Sequence, residues 1–225
     1  VILIPYRNRK EHLDYFLQNS WPLLKQNLPN SKLSIIEQEE GKLFNRGKIL
    51  NVGFKEYMDK TNYFITHDVD VNPYEKTIHL YKIVPNNNEV VGIFSSPCMT
   101  LGGIIKISNE IIKKINGFPN NYWGWGVEDR ALYNRAKHFG MNIHYNIFSN
   151  SKEATSMFNR FNNIDDRKRD NNFSQRTHFE YSMFHEINRE EQYNHIMRSG
   201  LNNLEYTILE RINLQDDVEI IKVSI

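Results

Sequence analysis

The chain has 225 residues, 40% hydrophobic and 24% charged, with 28 Lys and Arg against 27 Asp and Glu. That length can bury a sizeable core and fits one large α/β domain over residues 1–225, while a formal charge of +1 supplies no global field to recruit nucleic acid or an anionic membrane. A single cysteine, Cys98, excludes an internal disulfide and a multi-cysteine metal site, and no apolar stretch approaches the ~20 residues of a membrane-spanning helix.

The sequence opens on VILIPYRNR without an initiator Met, as a processed or truncated fragment would, so that a targeting segment would lie outside it. VILIPY is a short β-branched run ended by Pro5, a buried central strand. A helix from about Lys10 to Asn27 follows, with Leu13, Phe16, Leu17, Leu23 and Leu24 on its apolar face and a kink at Pro22. KLSIIEQ is a second strand. FNRGKILNVGFKEYM is a helix capped by Asn45. NYFITHDVD is a third strand running into acids, followed by a shorter strand at Val90 to Phe94 and a turn at LGGII. SNEIIKKING is a compact helix between the cap Ser108 and the stop Gly117. A WGWG loop then leads to a helix from Glu128 to about Phe139.

Alternation of strands and helices over the first 140 residues predicts a mostly parallel sheet with helices on both faces. From Ser149 to about Asn188 the pattern decays into Asn, Asp, Arg and Ser, a long loop or insertion that is either mobile and functional or disordered; its mixed-sign run DDRKRDNN reads as a solvated loop and not a nucleic-acid patch. GLNNLEYTILERI and DVEIIKVSI restore strand periodicity.

Three clusters can carry chemistry. Asp68 and Asp70 end a hydrophobic strand, where open α/β sheets place their ligands; at i and i+2 on extended chain they point the same way and can share a divalent cation, or they are solvated turn acids. An EF-hand fails, because Pro73 stands where that loop needs Gly and His79 where it needs Glu. Arg7 and Arg9 follow the first strand, and Arg46 and Lys48 open a helix; at one sheet edge with the acid pair they suit a nucleotide diphosphate. Glu128 and Asp129 open the next helix, where an ionised carboxylate is favoured and can serve as a general base toward a sugar hydroxyl. The preceding NYWGWG joins aromatic faces that stack on sugar rings to glycines that let a loop move.

PYRNR, FNRGKILNVGF, DVD, GG, INGFPNNYWGWGVED and GLNNLEY occur in that order and resemble the β-1,4-galactosyltransferase family from Ile2 to about Tyr206, with a gap at the Asn-rich loop. The resemblance implies a GT-A glycosyltransferase fold, a UDP-sugar donor, Mn²⁺ or another divalent cation, and a glycan or glycoconjugate acceptor. It implies that Pro5, Tyr6, Arg7, Arg9, Phe44 and Arg46 line the uridine and diphosphate site. Asp70 would ligate the metal, with Asp68 and Val69 beside the donor. Trp125 and Gly126 would belong to a loop that closes over the donor. Glu128 would contact sugar hydroxyls, and Asp129 would deprotonate the acceptor for an inverting displacement, the metal stabilising the leaving diphosphate.

The sequence departs from the family at Val127, usually Gly; at Arg130, usually a further Asp that helps bind acceptor; and at the metal-ligating His. The spacing for that His lands on SMFNR, which offers Met157 and Phe158. Met183 and His185 in YSMFHE, at i and i+2 on a strand, are candidate replacements, with His178 a weaker one. Before LGG the family carries a bulky aromatic that restricts the donor to galactose. Thr100 or Met99 stands there, and a small Thr100 leaves room for the N-acetyl group of UDP-GalNAc. The expectation is a metal-dependent inverting transferase of galactose or N-acetylgalactosamine. A transferase using another donor for glycosaminoglycan-like polymers and a degenerate nucleotide- or glycan-binding module are the alternatives. The resemblance implies a secretory-pathway setting, whereas the lone cysteine also fits a cytoplasmic, viral or microbial one.

Overall fold

The computed structural model describes residues 1–96, 99–124, 126–148, 151–160 and 175–225, with backbone alone at residues 160 and 175–177. Strand β1 (Ile2–Tyr6) lies between β2 (Leu33–Gln38) and β3 (Tyr63–His67), parallel to both. Its side chains alternate between two cores. Ile2, Ile4 and Tyr6 join Phe16, Trp21 and Leu24 on one face, and Leu3 joins Ile36, Ile49, Phe54 and Phe64 on the other. Burial on both faces explains an unbroken apolar run. Pro5 does not end the strand; it stays within it, in register with Ile36, where it forgoes one ladder donor next to the last residue.

The helical segment over residues 10–27 forms as α1 (Lys10–Tyr15), a π-helical turn (Phe16–Ser20) and α2 (Trp21–Asn27). Pro22 falls in the first turn of α2. In a straight α-helix its ring would press on the carbonyl four residues back. The wider turn, closed by Trp21 N–H donating to Phe16 O, makes room without a break. Helix α3 (Arg46–Tyr57) starts where Asn45 Oδ1 accepts from Lys48 N–H at 2.8 Å. It crosses β1 on the face opposite α1 and α2, so the winding direction reverses at β1. The C-terminal ends of β1 and β3 therefore flank a crevice of the kind in which α/β sheets bind ligands.

The remaining elements are β4 (Val71–Pro73), α4 (Ile78–Lys82), β5 (Glu89–Ser95), β6 (Ile104–Ser108), α5 (Asn109–Lys114), α6 (Glu128–His138), β7 (Asn142–Phe148), α7 (Lys152–Met157), β8 (Phe158–Arg160), α8 (Gln175–Glu186), α9 (Arg189–Arg198), β9 (Thr207–Gln215) and β10 (Val218–Ser224). The main sheet runs β7-β5-β6-β3-β1-β2-β10-β9. It is mostly parallel, with β6 antiparallel to β3 and β5, and β9 antiparallel to β10. The expected sheet with helices on both faces is present; β6 and β7 are strands the sequence pattern did not signal. The span expected to be structureless after Ser149 carries α7, β8 and α8 among its described residues. Among the described residues no helix is long and apolar enough to cross a membrane.

Candidate active site

Past His67 the chain turns: Val71 N–H donates to Asp68 O at 3.2 Å. Asp68 and Asp70 thus sit in a turn, and the extended i, i+2 geometry expected of them is not what aligns them. His67, which no sequence motif singles out, fixes this turn. Its buried ring is edge-on to Phe16 at 5.0 Å and stacked on Tyr81. Nδ1 lies 2.9 Å from Asp68 O and Nε2 2.8 Å from the Tyr81 hydroxyl. A carbonyl only accepts, so Nδ1 carries the proton and Nε2 accepts from the tyrosine. Burial pulls the ring's pKa down to about 4, which keeps it neutral. The available signal was a histidine ending a buried β-run immediately before an acid pair.

Each carboxylate of the pair meets a guanidinium. Arg46, the first residue of α3, donates from Nε and Nη2 to Asp68 Oδ1 at 3.1 and 2.7 Å, and its Nη1 stands 3.9 Å from Glu128 Oε1. Arg9 Nη1 is 3.7 Å from Asp70 Oδ2. Burial alone would lower the pKa of Arg46, but Asp68 and Glu128 outweigh it and hold the guanidinium above its usual value. Glu128 moves oppositely to an exposed acid: burial, then the charge of Asp129, push its carboxyl up to about 7 against the pull of Arg46. Arg46 Nη1 is buried with no hydrogen-bond acceptor. A charged donor left unsatisfied is costly, so this atom marks where an anionic or hydroxyl-bearing ligand gains most.

The approach to α6 is anchored at its base. Asn51 of α3 donates from Nδ2 to Phe118 O at 2.7 Å and accepts at Oδ1 from Phe118 N–H at 2.8 Å. Asn45 Nδ2 donates to Asn120 O, and Gly124 N–H to Phe44 O, both at 2.8 Å. Gly124 and Gly126 then take φ of +83° and +108°, conformations that favour glycine. Val127 follows at φ +63°, a left-handed backbone that is an outlier for a β-branched residue. It persists there with its side chain buried against Tyr122, Ala131 and Tyr181. Val127 gives α6 no capping side chain; Glu128 and Asp129 instead place negative charge in the first turn.

Asp129 is held from two sides. Its Oδ1 accepts from Arg130 N–H at 2.8 Å, and its main-chain oxygen accepts from Leu101 N–H at 3.1 Å. Across from Oδ2 lies Gly102, where a Cβ would stand only 2.6 Å from that oxygen. The LGG glycine is required for this close approach. The result is a partly exposed carboxylate, oriented but accessible, next to a second, largely covered acid of raised pKa. Such a pair can accept a proton at one oxygen while holding hydroxyls with the other.

Of the residues expected at the site, Arg9, Asp70, Asp68, Arg46, Glu128 and Asp129 gather around the crevice. Arg7 lies beside them: its Nη1 donates to Lys42 O at 2.6 Å, and its guanidinium covers the Phe44 ring at 5.2 Å. Tyr6 and Val69 are buried in the core that faces α1, and Pro5 is buried in β1, so their side chains shape the crevice floor from beneath. Trp125 and Cys98 lie outside the described residues. Thr100 is the interior residue before Leu101: it is buried, its Oγ1 has no partner, and its carbonyl accepts from the Tyr145 hydroxyl at 2.8 Å, whereas Met99 is exposed.

The strand expected at Met183 and His185 is instead helix α8. On a helix, i and i+2 diverge by about 200°, so the two side chains cannot face one ion together. His185 Nε2 lies 3.1 Å from Asn134 Nδ2 of α6, and Met183 is exposed; His178 is exposed on the same helix. The segment laid beside the acid pair is 157–160: β8 pairs with β4, directly after Asp70, with Arg160 opposite Val71, and Met157 O accepts from Tyr74 N–H at 3.3 Å. Among the described residues no group of three or more His, Cys, Asp or Glu converges as a metal cage. Asp68 and Asp70 offer the hard oxygens that suit manganese or magnesium. Ions of this class are commonly held by one or two carboxylates plus substrate phosphates and water, and the donor set fits that pattern.

Two family models match the chain: the N-terminal region of glycosyl transferase group 7 over residues 1–83, and the N-terminal domain of galactosyltransferase over residues 94–162. The chain is 42% identical over 139 residues to beta-1,4-galactosyltransferase 4 of Homo sapiens, covering 58% of this chain and 40% of that protein. It is 39% identical over 150 residues to beta-1,4-galactosyltransferase 1 of Mus musculus, covering 63% of this chain and 37% of that one. It thus spans about two fifths of the length of these curated relatives. Among solved structures, a mutant of Drosophila beta-1,4-galactosyltransferase 7 in complex with manganese, UDP-Gal and xylobiose aligns with a TM-score of 0.79 at 27% identity, over 100% of this chain and 92% of that one. The catalytic domain of the same Drosophila protein with xylobiose aligns with a TM-score of 0.78 at 26% identity over the same shares.

Proposed function

The chain belongs to the glycosyl transferase group 7 family and has its GT-A fold, and from that premise we propose that it is a metal-dependent, inverting hexosyltransferase. It moves galactose or N-acetylgalactosamine from a UDP-sugar to a sugar hydroxyl. The observation that carries this reading is the accessible Asp129 carboxylate, held between Arg130 N–H and Gly102, at the mouth of a crevice whose floor is the Arg9–Asp70 and Arg46–Asp68 pairs.

Asp129 takes the proton from the acceptor hydroxyl as that oxygen attacks the donor sugar opposite its departing diphosphate, which inverts the anomeric centre. Glu128, its pKa raised by burial and by Asp129, holds donor hydroxyls beside Arg46. Arg7 and Arg9 meet diphosphate oxygens with forked contacts. A divalent cation on Asp70, with Asp68 alongside, would act as a Lewis acid on the leaving diphosphate. The positive-φ glycines at 124 and 126 would let Trp125 close over the donor and exclude water from it. Thr100 is small where the resemblance places a bulky aromatic, and that size difference supports a donor pocket that admits an N-acetyl group.

Release of UDP from UDP-Gal and UDP-GalNAc, with Mn²⁺ and with and without sugar acceptors, tests the reading. Asp129→Asn should remove transfer, a loss of roughly 10²–10⁴-fold, and leave UDP-sugar binding near the wild-type level. Near-normal transfer by that variant would overturn the assignment of the base. Binding of UDP without its release from either sugar would leave a nucleotide-binding module in place of an enzyme.

A further inference from the structure

We propose that the acceptor of this transferase carries an anionic substituent (a carboxylate, sulfate or phosphate) that the guanidinium of Arg130 receives; the inference rests on the transferase reading above. Arg130 follows Asp129 directly, and its N–H is the donor that orients the Asp129 carboxylate at 2.8 Å. Its residue is exposed, and its side chain makes no hydrogen bond or ion pair with any described residue. Arg130 is the next residue of α6, about 100° further around the helix than Asp129, so its long side chain flanks the base and can meet a substituent of a sugar whose hydroxyl meets Asp129.

Local stability does not account for a cation at this position. It stands in the first turn of α6, where the helix field disfavours positive charge. Glu128 is already met from its buried side by Arg46 at 3.9 Å. The other guanidinium of α6 that packs inward behaves differently: Arg135 is buried and donates to Asn116 O, Gly117 O and Ser199 O, a structural staple. Arg130 borders the stripe of Val127, Ala131 and Asn134 that meets α8, and its planar fork is exposed. That fork matches paired oxygens of a carboxylate, sulfate or phosphate.

Initial-rate assays of the full chain with Mn²⁺ and UDP-Gal or UDP-GalNAc would compare N-acetylglucosamine and xylose glycosides with a glucuronic acid glycoside and with 6-sulfo- and 6-phospho-N-acetylglucosamine. The three anionic arms separate the three possible substituents. At least one of them should exceed the best neutral acceptor in kcat/KM by roughly tenfold or more, the range of one charge-assisted hydrogen bond. Arg130→Gln should cancel that advantage through KM, and Arg130→Lys should restore only part of it. Added salt should raise KM for the anionic acceptor and leave that of the neutral ones in place. Preference for neutral acceptors, or an unchanged KM for the anionic one in Arg130→Gln, overturns the proposal. Acceptor-independent UDP release distinguishes the failures: if it persists, the transferase reading stands and only the acceptor class falls; if it is absent with both donors, both fall.

Discussion

Replacing Gly102 by alanine puts a methyl group 2.6 Å from Asp129 Oδ2 and 3.4 Å from its Cβ and Cγ, while ordinary contact begins at 3.4 Å. The backbone of Gly102 does not take a positive φ, so alanine meets no conformational penalty there, and the contact is the whole perturbation. The carboxylate must retreat by roughly 0.8 Å. With Oδ1 tied to Arg130 N–H at 2.8 Å, it can do so by turning or by giving up that bond, and the helix need not move. The stability cost is then about 1 kcal/mol, the net worth of one hydrogen bond, a few degrees in Tm. Catalysis is more sensitive, since a displacement near 1 Å costs on the order of 100-fold in rate, or about 2.7 kcal/mol of barrier. We expect kcat to fall by that factor, with donor KM within about threefold, in a UDP-release assay run beside a thermal melt. A kcat close to wild type in a normally folded variant would show that the approach of Gly102 does not position the base.

At Val127 the usual size order should invert. Val127→Ala loses the packing on Tyr122 and Tyr181 and keeps the left-handed strain, whereas Val127→Gly loses the packing and sheds strain of about 1–2 kcal/mol; a higher Tm for the alanine variant would refute this. Two groups tilt stability with pH in opposite directions. His67, with its folded pKa lowered to about 4, leaves the extra proton to the unfolded state, so its contribution is intact above about 6.5 and is lost as pH falls toward 4. Glu128, raised from 4.5 to about 7, gives the extra proton to the native state, so stability falls as pH rises from 4.5 to 7 and levels beyond. In denaturant titrations His67→Gln should remove the first slope and Glu128→Gln the second; slopes parallel to wild type would count against these assignments. Arg46→Met leaves Asp68 and Glu128 without their cation and should cost about 3–5 kcal/mol of stability; a melt within a degree or two of wild type would show the pairs to be idle.

What was legible in the sequence follows from local physics. VILIPY, KLSIIEQ and YFITH read as strands because both faces of these strands are buried, and Asn45 and Ser108 were found because caps depend on a few neighbouring atoms. Strand β6 was hidden because Ile104–Ser108 runs straight into its own helix cap, and β7 because its residues are largely half-exposed at a sheet edge. Helix α8 lies in a span whose pattern decays, and its packing partners are Val127, just before α6, and Asn134 on it; the spacing of Met183 and His185 suits a metal pair only on a strand. At the site, the acids and arginines were visible as residue types. Their pairing, the role of His67 as a brace, and the fit of Gly102 to Asp129 depend on contacts across the sheet that no local pattern encodes.

Strand β10 pairs in parallel with β2, Val218 beside Leu33, and contributes Ile221 and Val223 to the core under α3. A ribosome releases these residues long after β1, β2 and β3 have emerged. Until then β2 shows an open edge beside the strands that carry the crevice, and non-local parallel pairing of this kind forms slowly. Nascent chains should thus pass through an interval in which that edge can capture another chain. Yield during synthesis should depend on chaperone protection and on how many copies are being made at once.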